Sequence, residues 1–498
     1  MTDESKVTDE SKEVAYERLG EKRLRLVDVI AQSVGFIGPV FSAAFIIPLI
    51  VGVNAAAKGA GTSAALAVLL AGAGVFALGW IVAQYAKRIH AAGSLYDYVS
   101  NGLGPTVGAA TGWLYYAGTI VLTTGLGVLI GGYIRDSLLP AFNQTGGWFP
   151  IWIWDVIVAV GLFAALYLGV QISTRVQLTL ALISIAVVLI FFISVIVKLG
   201  GDNNIGKAFD PSPPDGFSGV LFGVLYGVLI FVGFETAANL AEETAEPKKS
   251  IPRAVLLSVV LVSIFYIIAA YSEVAGFNFD LGVITSPDVA GAPLFALGAP
   301  GSRFGSDAIL KVLLLVVLLD MLAVYVGAAV ASTRGVFAMA RDRRLPRVLA
   351  TVSSRYATPA GAIAVVMVVQ ALWIAASQWW TALFALEGLP HYFSVFVWSS
   401  TFGGFALLGV YLLLSLGAIR GLADDLEKGK LAISVILGIV ITGGAIFASF
   451  YKVPSPTVLA PWYAVIWFAV GLVVMFVAKG REPASRVLGD LRSEGGAN

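Results

Sequence analysis

About twelve apolar runs, each long enough to cross a lipid bilayer, constrain this chain more than any other feature. They fall near residues 27–53, 63–86, 105–134, 151–170, 176–199, 219–241, 254–277, 308–339, 359–377, 392–416, 431–450 and 458–478. A spanning helix needs about 20 predominantly apolar residues. Hydrocarbon offers no water to the backbone, so such runs must close their hydrogen bonds internally as helices. With 58% hydrophobic and 13% charged residues, the 498-residue chain lacks the polar surface of a soluble fold. An all-α integral membrane protein, in contact with the lipid bilayer, is therefore predicted. The first run is too long for a signal-peptide core and is expected to stay in the mature protein. No lipidation motif is expected at either end.

Lysine and arginine set the orientation. With the N-terminus in the cytoplasm and the sides alternated, 25 of the 32 fall on the inner side. The outer 7 are Lys58, Arg135, Lys198, Lys207, Arg303, Lys311 and Lys452. This positive-inside pattern predicts an even span count, cytoplasmic termini and a plasma (inner) membrane location. Residues 1–26 read as a polar tail, and Asp28 suits the start of the first helix dipole. The net charge of +1, with no basic cluster interleaved with aromatics, argues against a nucleic-acid partner. Cysteine is absent and the histidines are two, His90 and His391, so no metal site and no cofactor are expected.

Two runs are interrupted. The first contains Ser33-Val-Gly35-Phe-Ile-Gly38-Pro39-Val, and the sixth contains Phe231-Val-Gly-Phe-Glu235-Thr-Ala-Ala-Asn239. A charge near the bilayer centre costs about 2.5–3.5 kcal/mol on insertion scales, so Glu235 must face the protein interior or a watery path. Glycine loosens a helix and proline lacks the amide hydrogen. An unwound joint over Gly35 to Gly38 is predicted, with a half-helix starting at Pro39. Amides freed there suit a carboxylate, and carbonyls freed in the sixth run suit an amine or cation. Glycine and proline also serve close packing in membrane helices. Two breaks five spans apart, one holding a carboxylate, instead match the pattern of a transporter binding site.

The stretch Gly233-Phe-Glu-Thr-Ala-Ala-Asn-Leu-Ala-Glu-Glu-Thr244, with Pro247 and Ile251-Pro-Arg-Ala254, resembles the sixth-span signature of the amino acid–polyamine–organocation permeases. Ala92-Gly-Ser-Leu-Tyr-Asp-Tyr-Val-Ser100, Gly169-Val-Gln-Ile-Ser-Thr-Arg-Val176 and Ala338-Met-Ala-Arg-Asp342 resemble further family stretches in family order. The resemblance implies a leucine-transporter-like fold: two inverted five-helix repeats at 27–200 and 201–418, two extra helices at 419–480 and a C-terminal tail at 481–498. It implies rocking of spans 1, 2, 6 and 7 against 3, 4, 8 and 9, with a small amino compound as cargo. Ser33, Gly35, Ile37, Gly38, Pro39, Phe231, Val232 and Phe234 are then expected to line the substrate site.

The chain also departs from the family. Where many relatives carry Gly-Ser-Gly in span 1, it has Gly38-Pro39-Val40, and Leu229 stands where arginine/agmatine antiporters place a gating tryptophan. Phe231 and Phe234 are alternative lids. Ser184 aligns with a span-5 lysine of some proton-coupled relatives. Ser332 and Thr333 are candidates for a sodium site or, alternatively, packing hydroxyls. Of Trp113, Tyr115 and Tyr116 in span 3, Tyr116 is expected at the substrate.

Three roles are open to Glu235: a titrating proton carrier, a fixed acceptor for broken backbone amides, or a direct contact for a substrate amine. Asp320, deep in the eighth run, can bind a cationic group or a proton, or pair with a polar neighbour. Glu273 and Glu387 are expected in solvent near the outer ends, and Glu242-Glu243 with Lys248-Lys249 on a loop face. The predicted function is a secondary active transporter of an amino acid, polyamine or other amine, proton-coupled or alternatively sodium-coupled. An obligate exchanger is the nearest alternative. A receptor or channel would be expected to carry repeated pore or charged-ring motifs, and an enzyme a convergent nucleophile, base or metal set.

Overall fold

The computed structural model describes residues 24–477 except 53–58, 169, 354, 387–388, 424–425, 452 and 454. The expected tails lie almost wholly outside these residues, as does Glu387. Among the described residues the fold is helical, with one isolated backbone bridge between Leu24 and Thr244 and no strand. Ten helices among them are long and apolar enough to cross a membrane. Two shorter apolar helices, Ile151–Tyr167 and Gly216–Leu229, stand in the fourth and sixth expected places.

The first run forms α1 (Leu26–Ile37), α2 (Pro39–Phe45) and α3 (Ile47–Val51). It is followed by α4 (Ala64–Ala86), a short α5 (Leu95–Leu103), α6 (Pro105–Tyr133), α7 (Ile151–Tyr167) and α8 (Val170–Leu199). The sixth run forms α9 (Gly216–Leu229) and a 3₁₀ run, Thr236–Glu243. Then come α10 (Pro247–Ala275), the short α11 (Pro293–Gly298), α12 (Asp307–Arg341), α13 (Ala360–Trp379), α14 (His391–Gly421), α15 (Lys428–Ala448) and α16 (Leu459–Val477).

Local chemistry fixes these limits. The Arg25 amide donates to Asp28 Oδ2 at 2.8 Å, which caps α1. Proline at the first or second position opens α2, α3, α6 and α10, where no intrahelical donor is needed. Small residues let helices approach: a Cβ at Gly118 of α6 would stand 2.7 Å from the Ala406 Cβ of α14. Apolar side chains such as Leu182, Ile190 and Val197 of α8 and Val473 and Val477 of α16 point outward. Gln32, Thr119, Glu235 and Asp320 are fully buried. Polar groups inside and apolar groups outside are what a bilayer demands.

Candidate functional site

Span 1 breaks at one residue. Gly38 adopts φ 61° and ψ 68°, a left-handed conformation, and Pro39 starts α2 directly after it. The joint is narrower than the sequence predicts, because α1 stays helical through Gly35 to Ile37. Gly35 serves packing instead, since a side chain there would collide with Gln177 of α8. The backbone donors around the break are all used. Gly38 N–H donates to the Val34 carbonyl at 3.2 Å and Ser42 N–H to the Gly38 carbonyl at 2.9 Å. Pro39 has none, and Phe41 N–H donates to Asp320 Oδ2 at 2.8 Å, with the Val40 amide also turned to that carboxylate. Asp320 thus comes from α12 to cap the half-helix, while its Oδ1 is buried and no protein group bonds it.

Span 6 breaks more widely. Helix α9 ends at Leu229, turns occupy 230–235, and the 3₁₀ run follows. Gly233 sits at φ 111° with the Phe36 ring against it, so a side chain is excluded twice over. Glu235 organises this break. Its Oε1 accepts from the Tyr115 hydroxyl of α6 at 2.9 Å, and its Oε2 from the Tyr411 hydroxyl of α14 at 2.7 Å and from Gly233 N–H at 3.2 Å. Three donors on one carboxylate fit the anion.

The two breaks are stitched together. The Ser33 hydroxyl donates to the Phe234 carbonyl at 2.8 Å and accepts from Ala237 N–H at 3.1 Å. Gln177 Nε2 donates to the Gln32 carbonyl at 3.4 Å, and Gln32 Nε2 to the Gly327 carbonyl of α12 at 2.9 Å. Phe36, Ala328, Ala331, Leu122 and the half-buried Val232 form a small apolar patch beside the breaks. Phe231 packs edge-on against Tyr266 and Phe234 against Tyr411, both fully buried.

Each end of this core is closed by its own chemistry. At the arginine-rich end, Arg334 pairs with Glu243 at 3.1 Å and Arg341 holds Glu242 through two 2.8 Å bonds. Leu24 N–H donates to the Glu243 carbonyl at 3.0 Å, and the Asn239 amide to the Ala92 carbonyl at 3.2 Å. At the other end Phe45 packs against Tyr133, Phe295 of α11 and Phe393.

Several expected residues stand elsewhere than the sequence indicates. Glu242 and Glu243 are not a loop face: both are enclosed ion-pair partners. Glu273 is not solvated, being 1% exposed with neither carboxylate oxygen bonded by a protein group. The Tyr116 hydroxyl donates to the Gly93 carbonyl at 2.6 Å, on the arginine-rich side, whereas its neighbour Tyr115 reaches Glu235. Ser332 Oγ lies 2.7 Å from the Ala328 carbonyl and 3.0 Å from Thr119 Oγ1, and Thr333 donates to the Val330 carbonyl, as packing hydroxyls do. The Ser184 hydroxyl lies 2.8 Å from the carbonyls of both Leu180 and Val316, its one hydrogen serving either, and it is Gln177 that meets Gly35 and Gly327. Residues missed by sequence reasoning are Tyr115 as a glutamate ligand, Tyr411, Gln32, Gln177 and Arg334. A lone glutamine inside an apolar run was the available signal for two of them.

The family model described as amino acid permease matches residues 34–474. A methylthioribose transporter of Bacillus subtilis is 24% identical over 85% of this chain and 87% of its own length. The gamma-aminobutyric acid permease of Escherichia coli is 26% identical over 62% of this chain and 65% of its own. A solved manganese transporter from Eremococcus coleocola superposes with a TM-score of 0.55 at 13% identity, covering 92% of this chain and 97% of that one. That likeness shows the leucine-transporter-like fold alone. On the match across residues 34–474, the chain belongs to the amino acid permease family, within the amino acid–polyamine–organocation superfamily.

Proposed function

We propose that this permease is a proton-coupled secondary active transporter that carries an amino acid or related small amine by alternating access. It works in the plasma membrane with both termini in the cytoplasm. The observation that carries the reading is the pair of facing breaks at Gly38 and Gly233, each held by a buried carboxylate from within the protein. Discontinuous helices that meet at mid-membrane offer backbone ends to a substrate and hinges for rocking. The names of the similar proteins, a methylthioribose transporter and a gamma-aminobutyric acid permease among them, point to small polar cargo.

Glu235 supplies the coupling step in this reading. As an anion it ties the broken span 6 to α6 and α14 through Tyr115 and Tyr411. Protonation puts a donor where three donors already point, which releases at least one tie and frees span 6 to move. Ser33, Ile37, Gly38, Pro39, Phe231, Val232 and Phe234 surround the cargo in this reading, and Gly35 packs behind them against Gln177. Uptake into proteoliposomes, with and without an inward proton gradient, tests the whole scheme. Wild-type uptake should follow the gradient, and Glu235→Gln should flatten its pH profile. Uptake that needs internal substrate and ignores the gradient identifies an exchanger instead.

A further inference from the structure

Most backbone donors at both breaks are already spent. Around Gly38, the N–H groups of residues 38, 41 and 42 bond within the protein, that of residue 40 turns to Asp320, and Pro39 offers none. Around Gly233 the amides of Phe231, Val232, Phe234, Thr236 and Ala238 bond to backbone carbonyls. Gly233 N–H bonds to Glu235 and Ala237 N–H to Ser33. A ligand carboxylate would need just such donors, together with positive charge. Negative charge stands there instead. Both oxygens of Glu235 are bonded, but Asp320 Oδ1 is wholly buried beside the span-1 break with no donor on it among the described residues. Tyr266 lies within electrostatic reach of it, but its own hydroxyl is committed to the Ile230 carbonyl at 2.8 Å. A buried carboxylate oxygen left open in this way calls for a donor, and a cationic amine supplies one with matching charge.

We infer that the substrate of this permease is a cationic amine without a carboxylate, and that Asp320 is the residue that selects it. This rests on the transport reading above. Asp320 acts twice: Oδ2 occupies the half-helix amides that would otherwise receive an anion, and Oδ1 receives the ammonium. Pro39 reinforces the choice by deleting one amide from the same turn.

Matched pairs of amino acid and decarboxylated amine isolate the carboxylate: lysine and cadaverine, ornithine and putrescine, arginine and agmatine. Binding is measured by calorimetry on the purified full chain, and carriage by competition for uptake into proteoliposomes. The amine of at least one pair should bind tenfold or more tightly than its amino acid. Asp320→Asn, which keeps an oxygen for the Phe41 amide, should erase that preference while its melting temperature stays near the wild type. If the amino acid of a pair binds equally well or better, the inference is overturned and the transport reading stands. If no member of any pair binds or is carried, both fall. The wild-type comparison decides between these outcomes even where the variant does not fold.

Discussion

Span 1 and span 6 break side by side, yet their carboxylates live differently. Glu235 belongs to its own break and bonds through both oxygens, to Tyr115, Tyr411 and Gly233 N–H. Asp320 reaches its break from α12, caps it with one oxygen and leaves the other without a protein donor. The glycines differ in parallel. Gly38 lies in the left-handed region that other residues visit at some cost, whereas Gly233 at φ 111° lies outside it. In the proposed reading the wide break of span 6 is a latch that protonation releases, and the narrow break of span 1 is the place where cargo binds.

The largest test of this contrast is at the glycines. Gly233→Ala combines backbone strain of about 1–3 kcal/mol with overpacking against Phe36 of about 1–3 kcal/mol. It should abolish recovery of folded protein in detergent. Gly38→Ala carries the left-handed cost of about 1–2 kcal/mol and a collision with Val324. Adding Val324→Ala should restore most of its melting temperature. No such rescue is expected for Gly233→Ala paired with Phe36→Ala, because the backbone strain persists. Equal rescue of both would erase the distinction between the breaks.

Next come the carboxylates themselves. Glu235→Gln replaces one acceptor oxygen by an amide donor among three donors, and each buried group left unpaired costs about 1–3 kcal/mol. Asp320→Asn can turn its oxygen to Phe41 and its amide to the open side, and should cost under about 1 kcal/mol. Thermal unfolding of both variants side by side gives the comparison directly. A larger loss in Asp320→Asn would reverse the assignment of latch and site.

Smaller again is the split between the two tyrosines. Tyr115→Phe and Tyr411→Phe each remove one hydrogen bond to a charged acceptor, about 1.5–3 kcal/mol. Because they share one carboxylate, their effects should be non-additive by about 0.5–1 kcal/mol in a double-mutant cycle. Strict additivity would mean that Glu235 holds α6 and α14 independently rather than as one latch.

What the sequence made legible follows from the cost of lipid. Spans, both breaks, Glu235 and Asp320 stand out because a glycine–proline pair or a lone charge in an apolar run is expensive wherever it sits. Partners were not legible. Tyr115 and Tyr411 lie 120 and 176 positions from Glu235, and nothing local in an α-helical tyrosine says that its hydroxyl meets a carboxylate. Tyr116 looked as good as Tyr115, since adjacent helical positions differ by about a quarter turn and only packing chooses between them. Glu243 read as loop because its guanidinium partner, Arg334, is 91 positions away. The extent of the span-1 joint was overestimated for a similar reason: Gly35 is held in helix by close packing against Gln177 of another span.

The finest test extends the contrast to a third carboxylate, outside the spans. Asp97 of α5 is buried at the arginine-rich end near Asp342, Glu242, Arg341 and the hydroxyl-bearing rings of Tyr98 and Tyr116. Burial, then the like charge of Asp342, holds its carboxyl well above the usual range, although Arg341 and the Gly93 amide pull the other way. Burial raises Asp342 too, against Arg341 and a 3.0 Å bond from the Tyr96 hydroxyl. A raised carboxyl means that the folded state binds more protons than the unfolded one above about pH 4. Its stabilising contribution is therefore complete below that pH and is lost as pH rises through the folded value. Asp97→Asn resembles the protonated form and keeps an oxygen for Gly93. Its melting temperature should match the wild type in acid, exceed it at alkaline pH, and fall less steeply between the two. A variant whose melting curve runs parallel to the wild type across that range would show that the Asp97 carboxyl is not raised in the folded protein.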